Sequence, residues 1–184
     1  MPLYSLCTMF KWLKELLMNP EFGRKKEFLQ RIPLFRGVTR REFGILFQAL
    51  VVRQYNSGEI LCGEGDIGRA LFLIESGSVE VFRKGADGHS TCVAILKSGD
   101  FFGELSLVDE QPRTATVVAL EPVRACLLYK SEIDKLLRKA PHIGAAVMTH
   151  LSRLLAARLR STLDPTGFST MPIGHPEATI SEVL

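Results

Sequence analysis

The spacing of apolar residues along this chain changes period twice. Up to about residue 49 apolar positions recur every three or four residues, which predicts amphipathic helices over roughly 5–18, 24–31 and 40–49. Thr39 stands before the third of these with Glu42 three positions on, the spacing of a capping box. The period then drops to two. VVRQY, EILCGE, ALFLIES, VEVFRK, STCVAILK, TATVVAL and VRACLLY are short β-branched or apolar runs, and NSGE, GDIG, SG, GADG, KSGD and LEP punctuate them. Seven or eight short strands at about ten-residue intervals predict a sandwich or barrel, with Gly99 and Asp100 ending one strand. The helical period returns at Ser131, where Ser-Glu-Ile-Asp repeats the capping-box spacing. After a turn at Pro141 a long helix is expected over about 142–162, with Ile143, Val147, Leu151, Leu154, Leu155 and Leu159 on one stripe. Beyond Asp164 prolines and glycines recur without a period, a pattern read as a flexible tail. The expected organisation is an N-terminal amphipathic helical extension (1–23), a mainly β domain with flanking helices (24–162) and a flexible tail (163–184).

The first twenty residues are apolar enough to test as a targeting segment. Lys11, Lys14 and Glu15 interrupt the run and no basic stretch precedes it, so it reads neither as a secretory signal nor as a membrane span. Leu6, Met9, Phe10, Leu13, Leu16 and Leu17 share one helical face. That face suits packing on the domain or on a second subunit. It also suits an interfacial anchor with Trp12 and the lysines at the headgroups, so a membrane surface is the less favoured partner.

Composition narrows the class. With 184 residues, 46% of them hydrophobic, the chain can bury one substantial core. The net charge of +3 excludes nothing by itself. Its distribution is uneven: the terminal helical regions are basic and the β-rich middle is acidic, which suits either solvated faces or an acidic partner. Cys7, Cys62, Cys92 and Cys126 form no C-x-x-C pair, and they read as reduced thiols of a cytoplasmic protein. His89, His142, His150 and His175 do not cluster at ligand spacing, so no metal is expected.

One apparent motif is a decoy, and other chemistry is thin. GEGDIG at 63–68 matches G-x-G-x-x-G, but a dinucleotide site needs a helix to begin there, and ALFLIES reads as a strand. No G-x-S-x-G elbow is present, and His89 alone sits among the strands, in a turn, so no catalytic constellation is found and no enzyme is expected.

One stretch survives, GDFFGELSLVDEQPRTATVVA at 99–119. Phe101 and Phe102 read as core anchors. Gly103 permits a close backbone approach. Gly-Glu-Leu-Ser-Leu could form one helical turn whose leading amides face an anion. Pro112 restricts the approach to the next strand and Arg113 carries a permanent charge that can hold two phosphate oxygens. Glu104 beside such a phosphate is repulsive unless it accepts a bond from something neutral, such as a ribose 2′-hydroxyl. The plain alternative is a structural Glu104–Arg113 ion pair. Phe102-Gly103-Glu104-Leu105-Ser106-Leu107 followed by Pro112-Arg113-Thr114-Ala115-Thr116-Val117 resembles the phosphate-binding cassette of cyclic nucleotide-binding domains, and EILCGEGDIGRALFLIESGSVEVF is similar to that family's early strands.

The resemblance implies a double-stranded β-helix, or jelly-roll, barrel with N-terminal helices and a C-terminal lid helix. It implies that Arg113 binds the cyclic phosphate and Glu104 the ribose 2′-hydroxyl, while Gly103 and the amides of Leu105 and Ser106 line the phosphate turn. Thr114, beside the arginine, admits cGMP as well as cAMP. Ala94 and Leu96 would pack on the purine or serve as plain core. Arg153 and Arg158, on the lid helix, would approach the base or form a solvated face. The implied function is a non-catalytic sensor of cAMP, or of cGMP, that needs no cofactor and moves its C-terminal helix toward a protein partner or a homodimer. The residues after the lid are too few for a DNA-binding domain, so a stand-alone bacterial-type member without DNA contact is expected. The alternative is a structural interaction module with a pocket that takes no ligand.

Overall fold

The computed structural model describes residues 20–39, 42–109 and 111–163. The predicted helix over 5–18, the start of the one over 40–49 and the tail lie outside the described residues. Helix α1 (Pro20–Arg31) leads through a 3₁₀ turn (Pro33–Phe35) to α2 (Phe43–Gln48). Eight strands follow: β1 (Leu50–Tyr55), β2 (Ile60–Cys62), β3 (Ala70–Ser76), β4 (Ser78–Lys84), β5 (Ser90–Lys97), β6 (Phe101–Phe102), β7 (Thr116–Ala119) and β8 (Val123–Tyr129). A second 3₁₀ turn (Leu105–Leu107) lies between β6 and β7, and helices α3 (Lys130–Lys139) and α4 (Pro141–Leu163) close the domain. The strands pair antiparallel in two four-stranded sheets, ordered β1-β8-β3-β6 and β2-β7-β4-β5. This is the mainly β, jelly-roll architecture with flanking helices that the residue pattern and the resemblance predict.

Strand alternation explains why ALFLIES and VRACLLY read as nearly continuous apolar runs. Successive side chains point to opposite faces, and here both faces are covered. Leu71, Leu73, Cys126 and Leu128 face a helical core with Leu29, Ile32, Leu34, Leu46, Ile133, Leu136, Ile143, Val147 and Leu151. Ala70, Phe72, Ile74, Ala125 and Leu127 face the interior between the sheets, where they meet Leu61, Val79, Phe102, Val117 and Ala119. The Cys126 thiol, shut in this helical core, is pushed up to about 12 by burial first and by neighbouring Glu75 second.

Three local expectations need correction. Gly99 and Asp100 do not end a strand: β5 stops at Lys97, and Gly99, at φ 96°, turns the chain so that its N–H donates to Ile74 O while Asp100 O accepts from Ile74 N–H, each at 2.9 Å. Ser131 does not cap a helix, because β8 runs straight into α3 at Lys130, whose N–H donates to Arg69 O (2.9 Å), and the cap position falls on Tyr129 without a side-chain bond. On α4 the stripe is buried at Ile143, Val147, Leu151 and Leu154, but Leu159 is exposed because the helical core ends before it. The Ser76-Gly77-Ser78 turn is as expected, and it needs glycine: φ is 85° and a Cβ would collide with Pro122 O.

The Thr39–Glu42 spacing forms one half of the expected capping pair, the Thr39 N–H donating to Glu42 Oε2 at 2.7 Å. His142 Nε2, at the start of α4, lies 2.6 Å from Glu42 Oε1. The Thr39 hydrogen bonds, then the His142 charge, hold the Glu42 carboxyl below its ordinary 4.5. A depressed folded-state value stabilises the fold fully above the unfolded pKa and loses that contribution as pH falls through the folded value. Urea midpoints measured from pH 6 downward should therefore fall as the pH drops below about 4.5. Glu42→Gln should be less stable at pH 6 and should flatten that acid limb.

Candidate functional site

The cassette is built from three pieces of chain that β pairing brings together. β6 pairs with β3 at Phe72↔Phe102 and Leu73↔Phe101, and the Phe72 and Phe102 rings stack at 4.7 Å between centroids. Gly103 then turns the chain at φ 77°. The helical turn predicted for Gly-Glu-Leu-Ser-Leu is the 3₁₀ turn, closed by Leu107 N–H to Glu104 O (3.1 Å) and Val108 N–H to Leu105 O (2.8 Å). Leu107 is buried in the helical core and pins the turn. The leading N–H groups of such a turn, at Leu105 and Ser106, have no acceptor within it.

The third piece is the β2–β3 loop, which holds the backbone of Arg113. Its N–H donates to Asp66 O (2.7 Å), its carbonyl accepts from Gly65 N–H (2.8 Å), and Pro112 bridges to Ile67. GEGDIG is thus a turn that positions the arginine: the Gly63 N–H donates to Asp66 Oδ2 (2.8 Å), and strand β3 follows it. The Arg113 side chain runs inward over the Phe72 ring, its carbon 5.4 Å from the centroid. Nη2 donates to Ala70 O at 2.6 Å and Nη1 to Gly103 O at 3.3 Å. The guanidinium therefore spans from the sheet to the glycine that begins the cassette turn.

Glu104 is buried, and its Oε1 is paired with Nη1 of Arg158 on α4 rather than with Arg113. Arg158 lies over the Phe101 ring at 5.4 Å. Of the two lid-helix arginines considered from the sequence, the structure brings Arg158 to the cassette and leaves Arg153 exposed on α4. Ala94 and Leu96 lie on β5, opposite Val81 and Val79, and Leu96 packs with Val81 against the inter-sheet core. Thr114 is exposed beside Arg113. Sequence reasoning missed Phe72, the platform under the guanidinium, and the Ala70 carbonyl, for which no residue type is a signal. A cavity of about 210 Å³ opens on the inter-sheet side. Of the residues predicted to bind ligand, only Arg113 lines it. Among the described residues no group of three or more His, Cys, Asp or Glu is placed to hold a metal ion, and no helix is long and apolar enough to cross a membrane.

Residues 52–140 match the model of the cyclic nucleotide-binding domain. The chain belongs to the cyclic nucleotide-binding domain family. It is similar to the cyclic AMP receptor protein of Thermus thermophilus, with 37% identity over 128 residues, 70% of this chain and 57% of the receptor. It is also similar to the cAMP-dependent protein kinase regulatory subunit of Pyricularia oryzae, with 35% identity over 67% of this chain and 32% of the subunit. Among solved structures, the N-terminal domain of a transcriptional regulator from Streptomyces coelicolor superposes with a TM-score of 0.65 at 31% identity, covering 80% of this chain and 99% of that domain. The chain thus spans little more than half of the receptor and about a third of the kinase subunit.

The geometry predicts a specific role for Gly103. A Cβ there would collide with Arg113 Nη1 in addition to meeting the positive φ. Gly99, at φ 96°, has nothing within 4 Å of the equivalent position, so its substitution isolates backbone strain from collision. Gly103→Ala should lose about 1–3 kcal/mol of unfolding free energy in urea, and more than Gly99→Ala. A smaller loss than at Gly99 would mean that the guanidinium yields without cost.

Proposed function

We propose that this chain is a non-catalytic cyclic nucleotide sensor that binds cAMP at the Gly103–Arg113 cassette and couples occupancy to α4. The observation that carries the reading is the placement of Arg113 against the Gly103 turn, with a buried Glu104 beside it. In this reading the guanidinium and the leading amides of Leu105 and Ser106 hold the cyclic phosphate. The ribose 2′-hydroxyl donates to Glu104, and Ala94 and Leu96 flank the purine. Nothing in this arrangement attacks the phosphate, so the ligand is recognised and released unchanged. The relatives compared by sequence are named for cAMP, and cAMP is therefore preferred, with cGMP admitted by the exposed Thr114 hydroxyl.

The coupling runs through Arg158. A carboxylate accepts up to about four hydrogen bonds, so a ribose hydroxyl and Arg158 can share Glu104. Arg158 also neutralises an acid that would otherwise repel a phosphate held at Arg113. Ligand and Arg158 therefore support each other, and occupancy favours α4 seated on the cassette. The output then passes from α4 to a protein partner or to a second copy of the chain, in a cytoplasmic setting. The competing reading, an interaction module that takes no nucleotide, is an outcome of the same test.

Calorimetric titration should show saturable binding of cAMP, and weaker binding of cGMP. Arg113→Ala should weaken it by roughly 1.5–3 kcal/mol or more, the worth of charge-assisted bonds, which is about tenfold to a hundredfold in Kd. A folded protein that binds neither nucleotide would leave the interaction module standing.

Arg158→Ala tests the sign of the coupling. It should weaken cAMP binding and speed amide hydrogen exchange over residues 155–160, in the last turns of α4, while leaving 143–151 protected. Tighter binding in this variant would show that Arg158 competes with the ribose instead of supporting it.

A further inference from the structure

Phe72 meets both parts of the cassette at once. Its ring stacks on that of Phe102, with centroids 4.7 Å apart and planes 8° apart. The guanidinium carbon of Arg113 lies over the same ring at 5.4 Å. Phe102 directly precedes Gly103, whose carbonyl accepts from Arg113 Nη1 at 3.3 Å. The contacts therefore close a circuit: Phe102 to Phe72, Phe72 to Arg113, Arg113 to Gly103, and Gly103 back to Phe102 through one peptide bond. Phe72 is buried on the same face of β3 as Ala70, two positions away, and the Ala70 carbonyl accepts from Nη2 at 2.6 Å. Carbonyl and ring thus reach the guanidinium from one strand.

The ring does something that the carbonyls do not. Hydrogen bonds to a guanidinium lie in its plane and fix its nitrogens. Tilting out of that plane is resisted by whatever packs on its face. A carboxylate partner would also hold the group, but it would take N–H donors and cancel the charge. An aromatic ring attracts the cation through its quadrupole, consumes no N–H and leaves the charge intact. We propose that Phe72 is a positioning residue for anion recognition at the cassette. Stacked on Phe102, its ring sets the tilt of the Arg113 guanidinium toward the phosphate of a bound cyclic nucleotide. This role rests on the nucleotide reading for its ligand and on the stack for its geometry.

Two measurements on the full chain test it. In the ligand-free protein, the nitrogen-resolved Nε–Hε resonance of Arg113, assigned by its loss in Arg113→Lys, should carry a ring-current shift. That shift should vanish in Phe72→Leu and persist in Phe72→Tyr. Phe72 lines the inter-sheet cavity, so the tyrosine hydroxyl need not be shut in the core. Calorimetric titration with cAMP should show affinity weakened about five- to tenfold in Phe72→Leu, the worth of a desolvated cation–π contact, and kept in Phe72→Tyr. Ile74→Val, on the same buried face of β3, controls for lost core volume. It should lower the urea midpoint but leave the resonance and the affinity as in wild type. A resonance unmoved by Phe72→Leu overturns the proposal, and so does a loss of affinity shared equally by Ile74→Val. Wild-type protein that binds no cAMP overturns the sensor reading and this role together. Binding that Phe72→Leu leaves unchanged overturns the role alone and leaves the sensor standing.

Discussion

Everything in this domain hangs on one strand pair, β3 with β8, which is buried on both faces. One face completes the helical core and the other lines the space between the sheets. Neither core can form without the pair, and neither face tolerates a polar residue without a partner. The pair also supplies two supports of the site, one from the backbone and one from a side chain. The Ala70 carbonyl that anchors Arg113 belongs to the first residue of β3, and the ring beneath the guanidinium belongs to the third. The cassette is thus fastened to a strand buried on both faces, although its own turn is only a few residues long.

Bringing an arginine into that setting has consequences for every charge nearby. A guanidinium inside a sandwich needs acceptors, and two backbone carbonyls serve. Those contacts set the position of the positive charge before any ligand arrives, so binding need not order a long side chain. Glu104 is handled differently. Its partner comes from α4, where the Arg158 side chain is half exposed. Arg113 also borders the inter-sheet cavity, which makes it the charge common to cavity and cassette.

Much of this was legible in the sequence, for reasons that particular elements make plain. β3, β5 and β8 match their apolar runs residue for residue: glycine-bearing turns bound β3 and β5, and Pro122 precedes β8, which runs on into the helix. β6 escaped notice, since two residues cannot display a period. The Ser131 cap was misread because a strand flowing directly into a helix leaves no position for a capping turn. Glu104 and Arg113 were visible as a pair of unusual residues at a fixed spacing. Their partners were not: a carbonyl such as Ala70 O carries no residue signature, and choosing Arg158 over Arg153 needs the helix register to within one turn.

That register also locates where α4 can respond. Ile143, Val147, Leu151 and Leu154 are buried in the helical core, so the first part of the helix is fixed by packing. After Leu155 the stripe does not continue inward. Arg158 stands seven residues after Leu151, where the helical period would place another core residue, and it meets Glu104 instead. Leu159 beside it is 59% exposed. Leu155 still packs partly buried against that core, and beyond it the Arg158 ion pair with Glu104 and its contact with the Phe101 ring tie the helix to the cassette. In the proposed sensor, an event at the cassette would act on this last segment more than on the first, because a segment with few buried apolar contacts is the one a single bound group can rebalance. The helix is one continuous element with two kinds of packing, and the boundary between them falls where its stripe exchanges a leucine for an arginine.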